Sequence, residues 1–166
     1  MTAPTFRRAV EADWPSVWRV FHSVVAGGDT YTYPPELTEG AARSEWLHVG
    51  EDRTVTFVAE LDGEIVGTAL LKPNLGGLGD HVANAGWMIA PEAAGRGVGR
   101  HFAEHVLDEA RRLGFTGMQF NAVVATNDRA LRLWRSLDFD EVGRVPGAFR
   151  HRTEGFVDLV IMHRSL

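Results

Sequence analysis

The sequence predicts an α/β protein, α+β in some schemes, with a mixed central sheet of about six to seven strands and about four helices. Strand-period and helix-period segments follow one another in the order β-α-α-β-β-β-α-β-α-β-β. One helical segment lies between two apolar strand segments, which predicts a parallel pairing through a βαβ unit. Asp62-Gly63 joins two other strand segments and is typical of an antiparallel hairpin turn. No linker or repeat divides residues 1–166, so one domain is expected.

The individual elements follow from residue type and periodicity. Strand segments are short runs rich in β-branched and aromatic residues, whereas helical segments repeat apolar residues three and four positions apart. The strands are expected at 5–10, 54–61, 64–72, 81–90, 117–124, 139–145 and 155–162. The helices are expected at 14–25, 39–49, 96–113 and 127–137. The stripe of the third helix that packs on the sheet is Val98, Phe102, Val106, Ala110 and Leu113.

Cap and anchor residues justify several of these boundaries. Asp13 is expected to cap the first helix, and Pro15 fits its first turn. Trp46 and Leu47 are expected to anchor the second helix. Gly114 is expected to close the third helix as its C-terminal cap.

Composition restricts the class of protein. With 45% hydrophobic and 23% charged residues, a chain of 166 residues can bury one substantial core. The net charge of −5 argues against nucleic-acid binding. No cysteine is present, which excludes a cysteine nucleophile, a disulfide framework and a cysteine zinc site. We find no signal-peptide pattern and no apolar run long enough to span a membrane, so a cytoplasmic protein without a membrane partner is expected.

Three glycines, Gly95, Gly97 and Gly99, alternate where the third helix begins. Backbone N–H groups at a helix N-terminus lack partners and form an anion site, which glycine allows a phosphate to approach. The pattern therefore predicts a phosphate-bearing cofactor, with a plain helix-start turn as the alternative. The dinucleotide fingerprint does not fit, because its last glycine would fall on Arg100, and the Walker G-K-[ST] is absent.

Two motifs resemble those of a known family. The glycine loop is similar to [QR]-x-x-G-x-[GA], with Gly97 and Gly99 at the two small positions. The segment 127–139 is similar to N-x-x-A-x-x-L-[YW]-x-x-x-G-F, with Asp138 in place of its glycine. Together with the order of elements, they make nearly the whole chain resemble the GCN5-related N-acetyltransferase (GNAT) family, most specifically at 84–139.

The resemblance implies acetyl-coenzyme A as the cofactor. Backbone groups of Met88, Ile89 and Ala90 would pair with its pantetheine like an added strand. The Asn127 side chain would bond the pantetheine as well as cap its helix. The pyrophosphate would be held by the amides of Gly95, Arg96, Gly97, Val98, Gly99 and Arg100. Because Ala94 stands where the family has Gln or Arg, the two arginines are expected to supply the missing positive charge.

Trp134 stands where many relatives carry a tyrosine that protonates or steadies the leaving thiolate. An indole N–H donates a hydrogen bond but is not a useful acid. The resemblance places Trp134 at the cofactor, and simple core packing is the alternative.

A further resemblance concerns the acceptor. A branch of the family that acetylates small amino acids, including proline analogues, is similar to this chain at 84–86, 120–123, 126–127 and 142–147. It implies that Asn84 and Asn121 line the acceptor pocket and act in catalysis, with bonding of local backbone groups as the alternative. Amides on apolar strands need partners if they are buried. Tyr31 and Tyr33 are expected on a loop over the acceptor site, with one of them in contact with the substrate.

Other titratable side chains give weaker signals. The general base is not identified, with Glu60, Asp158 and a water chain as alternatives. His101 and His105 share a helical face, but the spacing H-E-x-x-H is absent. We expect both histidines to be solvated and no metal to be bound.

These features predict an N-acetyltransferase that transfers the acetyl group of acetyl-coenzyme A to a small-molecule amine, an amino acid or an analogue. The neutral amine is expected to attack the thioester directly in a ternary complex, because no cysteine can form an acyl-enzyme. Two alternatives stay open: acetylation of protein N-termini or lysines, and a non-catalytic domain that binds acyl-coenzyme A. The expected partner is the amine rather than a nucleic acid or a membrane, and a homodimer is one oligomeric state that the sequence leaves open.

Overall fold

In a computed structural model, which describes residues 3–50 and 52–166, four α-helices flank a seven-stranded sheet. The strands are β1 (Thr5–Arg8), β2 (Val55–Leu61), β3 (Glu64–Pro73), β4 (Val82–Ile89), β5 (Gly117–Val124), β6 (Asp140–His151) and β7 (Gly155–Ser165). The helices are α1 (Trp14–Val25), α2 (Glu39–Trp46), α3 (Val98–Arg112) and α4 (Asp128–Ser136). The predicted order of elements is confirmed.

The sheet has the strand order β1-β2-β3-β4-β5-β7-β6, and its neighbouring strands are antiparallel except for β4 and β5. The predicted mixed sheet is therefore confirmed, with α3 as the crossover between the two parallel strands. Their ladder pairs only Val82 with Gly117 and Ala83 with Met118. Beyond Ala83 the two strands part, and the gap between them positions the site described below.

Helices cover both faces of the sheet. α3 and α4 pack on one face, where most of the predicted stripe of α3 is fully buried, at Val98, Phe102, Val106 and Ala110. Leu113 lies just past the helix and is only half-buried. α1 and α2 pack on the other face, where Trp46 is buried as predicted and Leu47 only partly. Each large apolar side chain that is fully buried stabilises the fold by about 1.5–3 kcal/mol.

Left-handed backbone explains the residues found at three turns. Asp62 (φ +54°) and Gly63 (φ +83°) form the predicted hairpin turn between β2 and β3. Gly114 (φ +81°) closes α3 as predicted. Asp138 also has a positive φ, of +60°, and this explains why the second motif carries glycine at its position.

Asp13 does not cap α1, contrary to the prediction. Its carboxylate makes no bond to the first helical turn, although Pro15 does lie in that turn. It accepts hydrogen bonds instead from both terminal nitrogens of Arg7, at 2.7 and 3.0 Å, and from the N–H of Val10 at 2.8 Å. A charged bidentate donor outcompetes a helical N–H, and the Arg7 guanidinium holds the pKa of Asp13 below its usual value.

The predicted ends of α2 and β6 are wrong for identifiable reasons, and β7 also runs three residues further than predicted, to Ser165. α2 ends at Trp46, because the next residue is extended and the N–H of His48 donates to Thr56 Oγ1 at 2.9 Å. β6 continues to His151, because the register shift between Val145 and Phe149 interrupts the strand without ending it. Proline and glycine at 146–147 therefore mark an irregularity within the strand and not its end.

Candidate active site

A cavity of about 320 Å³ lies where β4 and β5 part. Tyr33 and Trp46 line it from the core that packs under α1 and α2. Phe120, Val123 and Trp134 line it from the core under α3 and α4. The cavity therefore connects the two faces of the sheet.

The glycine loop before α3 has the expected backbone. Gly95 (φ +79°) and Gly97 (φ +78°) are left-handed, a conformation that glycine adopts without strain. Within the described residues, no carbonyl accepts the N–H groups of 95–97, and those of 98–100 begin the helix without an intrahelical partner. Gly99 differs, because a Cβ there would meet only Ile89 Cγ1, at 3.8 Å. Gly99 is thus dispensable for the fold and leaves space above the free amides.

The two arginines of the loop are exposed and already paired. Arg96 lies 3.1 Å from Asp62, and Arg100 lies 3.0 Å from Glu104 and donates to Ser136 Oγ at 2.9 Å. Exposed ion pairs contribute only about 0–1 kcal/mol. An arriving pyrophosphate can therefore exchange with these partners at little cost.

The edge of β4 that faces the cavity carries free backbone groups, but not all of the predicted ones. Ala90 donates its N–H to the carbonyl of Val66 at 2.8 Å. Antiparallel pairing alternates, so Met88 also turns its backbone to β3, whereas Trp87 and Ile89 turn theirs to the gap between β4 and β5. The Trp87 carbonyl there already accepts the Tyr31 hydroxyl at 2.7 Å. The expectation of strand-like pairing is therefore corrected for Met88 and Ala90, and it stays a prediction for Ile89.

Trp134 lies in a cluster of aromatic rings and is almost fully buried. Ring centroids lie 4.8 Å away in Trp87, 4.7 Å in Phe120 and 5.9 Å in Phe139. Core packing is thus part of its role, and a contact with the cofactor stays a prediction because Trp134 also lines the cavity.

Asn127 caps α4 as predicted, since its Oδ1 accepts the N–H of Ala130 at 3.1 Å. Its side chain also lines the cavity. The predicted bond to pantetheine remains compatible with the cap, because the amide nitrogen is a separate donor.

The two predicted amides lie close together and share a partner that the sequence did not indicate. Asn84 Nδ2 donates to Asn74 Oδ1 at 3.0 Å, and Asn121 Nδ2 donates to the same oxygen at 2.7 Å. Gln119 Nε2 donates to Asn121 Oδ1 at 2.9 Å. We call Asn74, Asn84 and Asn121 the amide cluster. All three line the cavity.

Asn121 is exposed, whereas the sequence argument placed it inside a buried strand. Two features of β5 explain the difference. The strand has already parted from β4 at this point, and its register against β7 shifts between Phe120 and Val123. Asn74 gave no signal of its own, because it follows β3 at the start of a glycine-rich loop.

The loop with the two tyrosines lines the cavity, and its contact with an acceptor stays a prediction. Tyr31 donates its hydroxyl hydrogen to the carbonyl of Trp87 at 2.7 Å, and burial raises its pKa. Tyr33 packs on Phe21, and burial raises its pKa as well. Gly86 makes room for this loop, because a Cβ there would lie 3.2 Å from the Tyr31 hydroxyl oxygen.

Neither carboxylate considered as a base lines the cavity. Glu60 is bonded to Arg7, and Asp158 accepts the N–H of Gly147 at 2.9 Å and lies 3.5 Å from Arg144. The suggestion that Glu60 or Asp158 is the general base of this site is therefore wrong. Within residues 3–50 and 52–166, no carboxylate and no histidine lines the cavity.

The histidines of α3 behave differently from each other. His101 is exposed, but His105 is half-buried with its ring 5.5 Å from that of Phe6 and 5.8 Å from that of Phe57. The expectation that both are solvated is therefore wrong for His105, whose pKa is lowered by burial. In the part of the chain that the structure describes, no three metal-ligating side chains come together. No helix in that part is both long and apolar enough to cross a membrane.

Comparison with known proteins agrees with this geometry. The sequence model of the acetyltransferase (GNAT) family matches residues 18–139. A solved GCN5-related N-acetyltransferase from Kribbella flavida is 47% identical, with a TM-score of 0.94 over 99% of this chain and 98% of that one. A phosphinothricin acetyltransferase from Sinorhizobium meliloti, solved with acetyl-coenzyme A, is 20% identical. Its TM-score of 0.88 over 99% of this chain and 89% of that one shows the shared fold.

A sequence relative is N-acetyltransferase aca1 of Schizosaccharomyces pombe, 38% identical over 98 residues. The match covers 58% of this chain and 47% of the yeast protein. The aligned part is therefore about half the length of that relative.

Proposed function

Because this chain belongs to the acetyltransferase (GNAT) family of acetyl-coenzyme A dependent N-acetyltransferases, we propose that it acetylates the amine of a small molecule, an amino acid or analogue. The observation that carries the proposal is the cavity through the sheet. The amide cluster lines this cavity, and the glycine loop follows β4, the strand that borders it. This arrangement suits two reactants that meet between the strands. A cytoplasmic location stays a prediction of the sequence.

The residues present fit acetyl-coenzyme A. Six consecutive backbone N–H groups, at 95–100, can hold its pyrophosphate, and Gly99 lets the phosphates approach them. The Ile89 backbone and the Trp87 N–H lie on the edge of β4 that β5 leaves unpaired, and they can pair with the pantetheine arm. When bound there, the cofactor supplies an acetyl group activated as a thioester.

Other groups of the chain orient the acceptor and stabilise developing charge. The amide cluster offers donors and an acceptor oxygen at fixed positions, which can hold an amine beside the open strand edge. A strand N–H that faces the cavity can donate to a carbonyl oxygen on which negative charge develops. Among the described residues that line the cavity none is a carboxylate or a histidine, and water in the cavity can take up the amine proton.

The test is a turnover assay with acetyl-coenzyme A and a panel of amines. The panel contains free amino acids, peptides with a free N-terminus and lysine peptides, with thiol release and product mass as readouts. We expect acetylated amino acids, and thiol release that needs both the amine and the folded protein. Acetylation of peptides alone would show a protein acetyltransferase, and binding of coenzyme A without any product would show a non-catalytic domain.

A further inference from the structure

Lys72 is the single lysine of this chain, and it lines the cavity. No other charged side chain among the described residues lines the cavity, although the chain as a whole carries a net charge of −5. One positive charge in a cavity without acidic groups sets the electrostatic preference of the whole site.

The strand register places this lysine next to the amide cluster. Lys72 lies directly opposite Asn84 in the β3–β4 ladder, so the two side chains project from the same face of the sheet. Asn74 follows two residues later on the same chain segment. An ammonium group and the side-chain amides thus border one end of the cavity.

The Lys72 side chain makes no hydrogen bond or ion pair with any residue that the structure describes. The two arginines of the glycine loop differ in this respect, since Arg96 and Arg100 are both ion-paired. The Lys72 side chain is exposed, so its ammonium can take up a partner from solution without first losing one from the protein.

We propose that Lys72 binds the carboxylate of the amine acceptor, and that the protein thereby selects small amines that carry an anionic group. The inference deepens the proposed function and rests on it. Ammonium and carboxylate form a charge-assisted hydrogen bond, which is stronger than one between neutral groups. The amide cluster then has the acceptor's amine to orient. The same positive charge disfavours lysine side chains and basic peptides.

The test uses binding, so that it does not depend on turnover. Trp46, Trp87 and Trp134 line the cavity, and their fluorescence can report occupancy. L-proline, L-leucine, L-phenylalanine and their carboxamides are titrated into protein saturated with coenzyme A. The variants are Lys72→Met and Lys72→Arg. Arg111→Met is the control, because it removes one exposed positive charge in the last turn of α3.

We expect the best of these amino acids to bind about tenfold or more tightly than its carboxamide, in line with a lost contact to a charged group. Lys72→Met should remove this preference, Lys72→Arg should keep most of it, and Arg111→Met should keep all of it. Affinity for coenzyme A should be equal in the four proteins.

Three results would overturn the role of Lys72: no saturable binding of any of the three amino acids, equal affinity for carboxylates and carboxamides, or an unchanged preference in Lys72→Met. Failure of the proposed function is separate, because it shows as absent turnover in protein that still binds amino acids through Lys72.

Discussion

Asn121 is held by two neighbouring side-chain amides where β4 and β5 part. Its amide donates to Asn74 and accepts from Gln119, so its position is fixed before any ligand arrives. It is exposed at the parting of the strands, where an acceptor can reach it.

Asn121→Ala should lower kcat/KM for an amino-acid acceptor roughly tenfold to a hundredfold, because an amine that is no longer held in position reacts more slowly. Affinity for coenzyme A, measured by calorimetry, should stay unchanged. Thr116→Ala is the control, because Thr116 is an exposed polar residue that directly precedes the same strand and does not line the cavity. A lower melting temperature for Asn121→Ala with kcat/KM within about twofold of wild type would make Asn121 a purely structural residue.

Burial of the Tyr31 hydroxyl should make the free energy of unfolding depend on pH. Burial raises the pKa of Tyr31, whereas a tyrosine in the unfolded chain ionises near pH ~10. The folded protein therefore holds a proton that the unfolded chain releases. The stabilisation is complete below pH ~10 and is lost as the pH rises further.

The measurement is the free energy of unfolding in urea between about pH 8 and pH 11, for wild type and Tyr31→Phe. The variant should be less stable by about 0.5–1.5 kcal/mol at the lower pH, because the bond to the Trp87 carbonyl is lost. Its stability should then fall less steeply with pH than that of wild type. Parallel curves would mean that the Tyr31 hydroxyl is not protected in the fold.

At the scale of elements, the start of α3 is the feature to test. Gly97 is a poor position for substitution because its φ of +78° strains any other residue. Gly99 is free of that problem, so Gly99→Val changes the approach to the amides with little effect on the backbone.

We expect Gly99→Val to weaken coenzyme A binding at least about tenfold in calorimetry, the equivalent of about 1.4 kcal/mol. Gly40→Val is the control, since Gly40 also lies at the start of a helix and has open space around it. Equal affinities for wild type and both variants would remove the pyrophosphate from this loop.

The turn between α4 and β6 gives a second prediction at this scale. Asp138 has a left-handed backbone, which destabilises the folded state by about 1–2 kcal/mol for an L-residue. Glycine avoids this cost, but it makes the unfolded chain more flexible, which lowers the free energy of unfolding by about 0.4–1 kcal/mol. Asp138→Gly should therefore raise the free energy of unfolding by about 0.5–1 kcal/mol. Its contact with Arg164, at 4.0 Å and largely exposed, offsets little of this gain. Asp138→Ala is the comparison in urea unfolding, and an alanine variant as stable as the glycine variant would refute the explanation.

Short-range sequence patterns predicted most helices and strands correctly. Prediction failed where contacts between distant segments set the structure. The bounds of α1 and β5 and the stripe of α3 follow from periodicity and turns within a short window. Asp13 was misread because its true partner, Arg7, lies on a strand before the helix. β6 was cut short because its extension depends on pairing with β7.

At the scale of the whole molecule, the site forms because one parallel ladder stops early. The glycine loop and the motif at 127–139 were readable in the sequence, because each lies on one continuous segment. Asn74 and Lys72 were not, because their place in the site depends on the register of β3 against β4. The same holds for the cavity-facing backbone of Trp87, which alternation along the paired strand exposes.

We propose that both reactants occupy the cavity between β4 and β5 together and that the acetyl group passes directly to the amine. Initial rates measured over a grid of acetyl-coenzyme A and amino-acid concentrations test it most directly. We predict double-reciprocal lines that intersect, the pattern of a ternary complex, in a chain that has no cysteine to carry the group. Parallel lines, the pattern of a covalent intermediate released stepwise, would contradict the account.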